Sequence, residues 1–401
     1  MAARMQAPTL PNFWPPTPAA RTLHAQWLLE LTQIPSASGS EDAVLRWLRT
    51  WFAQRPSLRV TQDAHGNLTV AFESEPTAPA PLYLTAHLDH PAFVLDDLPA
   101  FDTAELSFRG GVMPDYFPDS RIRIHTAKGP RTATITTKAD LPGRPVFDHW
   151  YATLDADGPT PVRGDVAVWD LPPAEIKDGL VHTLACDDLA ALAAALAAFD
   201  CLIPHAKHLL RPVRLLLTRA EEIGFLGAIG ACRSRTIPLD ARIIALENSR
   251  SFADSPIGGG PVVRVGDRVS VFSPTLTAAI AARAEEIVGE TAASAEPPWK
   301  WQRKLMAGGA CEASVFCHFG YEATCVCLPL GNYHNMGDLA NVQAGTNTAP
   351  ATIEREFISL SDFEGLVDLL LACAARLGES GNVSALITRL WDEKGFVLET
   401  R

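Results

Sequence analysis

The sequence has few of the features that would place it on nucleic acid, at a membrane or outside the cell. Its formal net charge is -12 over 401 residues and no Lys/Arg block offsets it locally, so nucleic acid and anionic membrane surfaces are not expected partners. The opening stretch MAARMQAPTLPNFWPPTPAARTL has no continuous apolar segment before a small-residue cleavage site, so secretion is not indicated. No run approaches the roughly 20 apolar residues that span a bilayer, and the Ala-rich stretch after Asp188 ends at Asp200. Cys186, Cys201, Cys232, Cys311, Cys317, Cys325, Cys327 and Cys373 lack the dense spacing of a disulfide framework, which points to a reducing, cytoplasmic setting. Internal repeats are absent.

What is present is the composition of a folded protein. Apolar residues make up 47% and charged ones 20%, enough to bury a sizeable core. The length exceeds that of one ordinary domain, so a large core with a smaller inserted or appended unit is expected. The Pro-rich start, 1–19, reads as an irregular arm, because Pro removes backbone donors. Apolar residues then recur at helical spacing over 20–33 and 41–54, the second helix turning Val44, Leu48, Trp51 and Phe52 to one side. Alternating Leu58–Val60 and Leu68–Phe72 read as strands joined by a turn at His65–Asn67, and 81–86 is a buried strand ending at His87. Over 97–178 short alternating runs lie between Gly, Pro and Asp turns, which reads as a small all-β unit. Strand and helix then alternate again: a helix from Asp187 to Phe199, strand 213–218, helix 224–232, strand 241–246, helix 274–288 and strand 323–330. The expected architecture is therefore α/β, a mixed central sheet with helices on both faces, formed by 20–96 and 179–401 and interrupted by the β unit.

Three separate strands end in imidazole or acid groups: Leu84–Asp89, Leu217–Glu222 and Ala245–Glu247. In open α/β sheets the carboxyl ends of strands form the ligand crevice, so these groups can converge although they are distant in sequence. Asp187 and His334 add two more candidates, giving two imidazoles and several carboxylates, a donor set that suits zinc or a similar divalent ion. Each has a plainer reading: His87 as a hydrogen-bonded structural residue, Asp187 as a helix N-cap. The Glu221–Glu222 pair is harder to explain structurally, because two like charges against a core edge are costly without a cation. His125, His149, His182, His205, His208 and His318 read as structural. Cys186 and Cys311 adjoin site segments and read as small buried fillers.

In order and context, His87-Leu-Asp89, Asp187-Asp188, Glu221-Glu222-Ile-Gly-Phe-Leu-Gly-Ala228, Glu247 and His334 resemble the glutamyl aminopeptidase family, di-zinc peptidases that build tetrahedral particles. Gly164–Trp169, Gly260–Arg264 and Gly308–Ala313 also sit where that family has similar segments, and the likeness runs from about Ala20 to Leu377. The resemblance implies two divalent ions, zinc expected and cobalt or manganese as alternatives. It further implies Asp187 as their bridge, His87 and Glu247 completing one site, and Glu222 and His334 the other. Glu221 would be the general base, with Asp89 fixing the His87 imidazole from behind. The implied activity is removal of N-terminal residues from small peptides by a homo-oligomer, with the β unit aiding assembly and limiting access. Three departures stand out: Glu247 where the family usually has Asp, His90–Pro91 after Asp89, and Gly331–Met336 in the last motif. They leave open a deacylase or dipeptidase on the same domain, or a non-catalytic scaffold.

Overall fold

The computed structural model describes residues 15–78, 80–143, 145–291, 298–378 and 383–398. Most of the expected arm thus lies outside the described residues, and the first helix, Pro18–Leu31, begins with Pro at its first turn and the Thr17 hydroxyl accepting from the Ala20 amide.

The core is an eight-stranded mixed sheet. Four parallel strands form its centre, in the order Val213–Thr218, Leu82–His87, Arg242–Arg250, Glu322–Leu330. Leu68–Phe72 and Leu58–Gln62 extend one side antiparallel, and Val262–Gly266 with Gln302–Leu305 extends the other. The central strands are apolar on both faces because helices cover both. Leu82, Leu84, Leu215, Leu217, Ile244 and Val326 face helices Pro18–Leu31, Leu189–Leu202 and Leu360–Arg376. The alternate residues Tyr83, Leu216, Ile243 and Ala323 face Leu226–Arg233 and Glu312–His318. The mixed sheet with helices on both faces is the architecture read from the sequence.

Two details differ from the expectation. The helix after Asp187 starts at Leu189, and neither Asp187 nor Asp188 caps it with its side chain: Asp188 accepts the His87 amide and Asp187 lies beside the His87 ring. The span Leu189–His208 is also long and apolar enough to cross a membrane by composition, yet 72% of its apolar window is buried inside the protein. Composition alone cannot separate a central core helix from a membrane span.

Six strands between Ala92 and Trp169 close into a barrel in the order Ala92–Ala100, Thr103–Arg109, Asp148–Leu154, Gly129–Lys138, Arg121–Thr126, Val166–Trp169. Its interior is packed by Phe93, Phe108, Phe117, Trp150 and Trp169, with Phe117 and Trp150 stacked at 4.2 Å. The β unit was expected at 97–178, but the first barrel strand starts five residues beyond His87. At the far end, Glu175–Lys177 and Leu180–Thr183 leave the barrel and join Glu356–Ser359 in a separate three-stranded sheet. That small sheet brings Glu356 beneath the loops described next.

Candidate metal centre

The parallel register sets the site. Thr218 pairs with His87 and Ala245 with Thr85, so the ends of three strands bring His87, Glu221 and Glu247 to one level. His87 Nε2 lies 3.4 Å from Asp187 Oδ1, 3.8 Å from Glu221 and 3.9 Å from Glu247. The other oxygen of Asp187, Oδ2, lies 3.5 Å from His334 Nε2, which is also 3.5 Å from Glu222. All the residues singled out in the sequence thus meet. One carboxylate stands between two imidazoles, and each imidazole has a further carboxylate beside it.

Both rings turn Nε2 inward because Nδ1 is occupied. His87 Nδ1 lies 3.0 Å from the backbone carbonyl oxygen of Asp89 and 3.5 Å from its carboxylate. The nearer acceptor is therefore the main chain, which differs from the expected carboxylate partner. The Asp89 carboxylate instead accepts from the Glu221 amide at 3.0 Å, the Glu222 amide at 3.1 Å and the Ser38 hydroxyl at 2.5 Å, fixing the turn that carries both glutamates. Burial works against its ionisation, but the hydrogen bonds from His87, Ser38 and Glu221 outweigh it and hold the carboxyl below its ordinary value. Glu41 braces the same turn, accepting from the Ala220 amide and from Arg219. Behind it, a Cβ on Gly227 would lie 2.5 Å from the Arg219 backbone, so only glycine allows this approach.

His334 has a positive φ of 55°, as do its neighbours Asn332 and Asn335 (51° and 64°). A side chain is held in that left-handed region only where its surroundings fix it. Here its Nδ1 lies 2.6 Å from the Gly111 carbonyl oxygen, and its backbone amide donates to Glu356 Oε1 at 2.8 Å. Glu356 is fully buried and its other oxygen accepts the amides of Cys186 and Asp187 at 2.6 and 3.1 Å. One carboxylate therefore positions both the central Asp187 and His334. The sequence reading missed it, because Glu356 follows His334 by a long irregular stretch and sits on a short strand. His90 was noted only as a departure. Its Nδ1 lies 2.6 Å from the Asp187 carbonyl oxygen, and its Nε2 lies 3.0 Å from Asn335.

The electrostatics call for cations. Burial, together with repulsion from Asp187 and from one another, raises Glu221, Glu222 and Glu247 well above the ordinary glutamate value. His87 is buried yet raised, because Glu221, Asp187 and Asp89 surround it. His87 Nε2, Asp187 Oδ1, Asp188 Oδ1, Glu222 Oε1 and His334 Nε2 are all buried without a hydrogen-bond partner. Orphaned atoms of this kind are rare unless something else satisfies them. Among the described residues three groups have donor atoms within 4.8 Å of one another: His87 with Asp187 and Asp188, His87 with Glu221 and Glu222, and Asp187 with Glu222 and His334. Mixed imidazole and carboxylate sets of this kind fit a divalent ion.

The centre opens into a cavity of about 400 Å³. One wall is apolar: Val112, Met113, Tyr333, Met336 and Leu339. The opposite wall continues from Glu247 through Ser249 and Arg250 to Phe252 and the buried Arg264, whose guanidinium donates to Ser249 at 3.1 Å and leaves its Nε without a partner.

Residues 162–349, which hold four of the five proposed ligands, match the model of the M42 glutamyl aminopeptidase family. The matched segment is just under half of the chain, and over it the chain is similar to that family. Its members are metal-dependent peptidases, and the donor groups above are the corresponding feature here. The fold is shared with the TET1 peptidase of Pyrococcus horikoshii, which can assemble into a tetrahedron or a large octahedral shell (21% identity, TM-score 0.67, covering 88% of this chain and 99% of that one). It is shared too with an aminopeptidase of the archaeon Desulfurococcus kamchatkensis (18%, TM-score 0.69, 88% and 95%) and an endoglucanase of Thermotoga maritima (17%, TM-score 0.56, 86% and 96%). At these identities the likeness concerns the fold. No curated protein matches.

The bracing and the buried charge of this centre each have a measurable consequence. Glu356→Ala strands three buried amides, each left unmade at a cost of about 1–3 kcal/mol, so metal retention after dialysis should fall sharply. Elemental analysis of the purified, folded variant reads this directly. The second concerns pH. Glu221, Glu222, Glu247 and His87 are all raised in the metal-free fold, so that fold holds more protons than the unfolded chain and loses stability as pH rises from the ordinary glutamate value of 4.5 toward neutrality. Bound cations displace those protons. The gap in melting temperature between metal-loaded and chelated protein should therefore widen between pH 5 and 8, and calorimetry at fixed pH should detect proton release on metal addition.

Proposed function

We propose that this chain is a two-metal aminopeptidase that removes N-terminal residues from small peptides. The observation that carries the reading is the placement of Asp187, with one oxygen toward His87 and the other toward His334, and with Glu247 and Glu222 on either side. His87, Asp187 and Glu247 would hold one ion and His334, Asp187 and Glu222 the other, with zinc the best match to these nitrogen and oxygen donors and cobalt or manganese as alternatives. Bound ions of this type supply a water that ionises near neutral pH and a Lewis acid for the scissile carbonyl.

The remaining roles fall to the chain itself. Glu221 lines the cavity with its carboxylate 3.8 Å from His87 Nε2, and its backbone is fixed by Asp89. A raised carboxyl in that place can take a proton from the attacking water and pass it to the leaving amine. Asp89, Glu41 and Glu356 act by holding the turns. Arg264 supplies a fixed positive group in a wall where, among the described residues, no carboxylate is hydrogen-bonded to it, which suits a substrate carboxylate and agrees with the glutamyl name of the family. Self-association is proposed from the assemblies named for the TET1 peptidase, and a cytoplasmic location from the eight free cysteines.

Glu221→Gln keeps the side-chain shape and removes the base, so kcat should fall by about a hundredfold or more while metal content stays at the wild-type level. Unchanged turnover on aminoacyl-p-nitroanilides would remove Glu221 from this role, and cleavage of N-acyl substrates in preference to free-amine ones would replace the aminopeptidase reading with a deacylase. Arg264→Met should cost about 2 kcal/mol of discrimination for glutamyl over leucyl substrates, read as the ratio of kcat/KM. An unaltered ratio would show that the guanidinium does not meet the substrate.

A further inference from the structure

Between His334 and Glu356 the chain leaves the site and comes back to it. Glu356 holds the His334 amide, the Glu354 amide donates to the Asn335 carbonyl oxygen, and Met336 bridges Ile353, so residues 335–355 form a closed excursion with its two ends together. The excursion contains the helix Leu339–Ala344 and lies over the cavity. It is anchored on the segment that leads away from barrel strand Thr103–Arg109. Tyr116 donates its hydroxyl to the Gly337 carbonyl oxygen at 2.6 Å, and Tyr116, Met336 and Leu339 form an apolar cluster separate from the main core. At its outer edge Gln343 accepts from Arg250 at 2.6 Å, which joins the excursion to the opposite wall. A connection this long, held at both ends and lining a cavity, is the kind that usually serves a site.

The two walls differ in chemistry and each adjoins a different half of the metal centre. The apolar wall is continuous with His334, on which Tyr333 stacks at 3.7 Å and to which Gly111 is hydrogen-bonded. The cationic wall is continuous with Glu247 through Asn248 and Ser249. A peptide bond placed at the centre sends its two flanking side chains toward different walls. We infer that Met336 and Leu339 of the excursion, with Met113 packed beside them, form a specificity subsite for an apolar side chain next to the scissile bond, while the carboxylate-binding wall takes the other side chain. This rests on the aminopeptidase reading. Unbranched methionine side chains suit a wall that adapts to apolar groups of differing shape.

The test uses the metal-loaded full chain and two pairs of dipeptides, Glu-Leu with Glu-Ala and Leu-Glu with Ala-Glu. In one pair the wild type should favour the Leu peptide over its Ala counterpart by about tenfold in kcat/KM, as expected for burying an extra apolar side chain. Leu339→Ala and Met336→Ala should bring that ratio toward one, and Leu339→Trp, which fills the subsite, should invert it in favour of Ala. Loss of fold cannot produce an inversion. A ratio that is near one in the wild type, or that survives all three substitutions, overturns the subsite. Failure of the wild type to cleave any of the four dipeptides or an aminoacyl-p-nitroanilide overturns the aminopeptidase reading instead.

Discussion

The structure turns on one constraint, the crowding of carboxylates at the carboxyl ends of four parallel strands. Asp89, Asp187, Asp188, Glu221, Glu247, Glu312 and Glu356 are all buried, and the Glu222 side chain is only 6% exposed. Taking like charges out of water together is among the costliest arrangements a protein can make. Arg264 and the imidazoles His87 and His334 supply too little positive charge against so many acids. Either the carboxyls retain protons, as the raised Glu221, Glu222 and Glu247 do in the metal-free fold, or cations enter. A sequence that tolerates this cost at one place, and fills the rest of its core with Leu, Ala and Val, is organised around an ion site.

The fold delivers these groups by register more than by local preference. Parallel pairing aligns Thr218 with His87, so the turn after one strand and the end of its neighbour arrive side by side. The loops beyond the strands then need bracing. Positive φ at Ala220, His334 and Asn335 is tolerated because Glu41, Asp89, Gly111 and Glu356 fix the surrounding main chain. Among the described residues the barrel reaches the site through the segment after Arg109, which supplies the Gly111 carbonyl and Met113. Its aromatic core is otherwise self-contained.

Much of this was legible in the sequence. Apolar runs that stop at His87, Glu221–Glu222 and Glu247 mark strand ends, and strand ends in such a sheet are neighbours. What was hidden has a common cause. Glu356 lies on a strand of the small second sheet and Arg264 on an antiparallel strand near the edge of the large one, so neither sits at the end of a recognisable apolar run. Their roles depend on how far the excursion 335–355 folds back and on which face of the strand points to the cavity, quantities that spacing does not encode. The nearer backbone acceptor at Asp89 was missed for a related reason. A carboxylate two residues from a histidine can reach its ring, but the backbone carbonyl of that same residue is closer here, and the carboxylate also meets two amides from the turn after another strand.

That last point gives a way to separate ligands from supports when residue type cannot. Every acid at the site offers two oxygens, and the question is what each oxygen meets. Both oxygens of Asp89 and both of Glu356 accept backbone amides, so these carboxylates are satisfied by the protein itself. Asp187 keeps a buried Oδ1 with no protein donor 3.4 Å from the unpaired His87 Nε2, and Glu222 keeps a buried unpaired Oε1 while its Oε2 lies 3.5 Å from the unpaired His334 Nε2. A carboxylate supplied with N–H donors has no use for a cation, while one denied them in the same low-dielectric pocket is stable as an anion only beside a cation. Asp188 is intermediate, one oxygen accepting the His87 amide and the other orphaned, which places it beside the centre as a support that also adds negative charge. The supply of backbone donors, set by where the loops turn, therefore separates acids that the protein satisfies itself from acids left with an unmet oxygen, although their side chains are chemically alike.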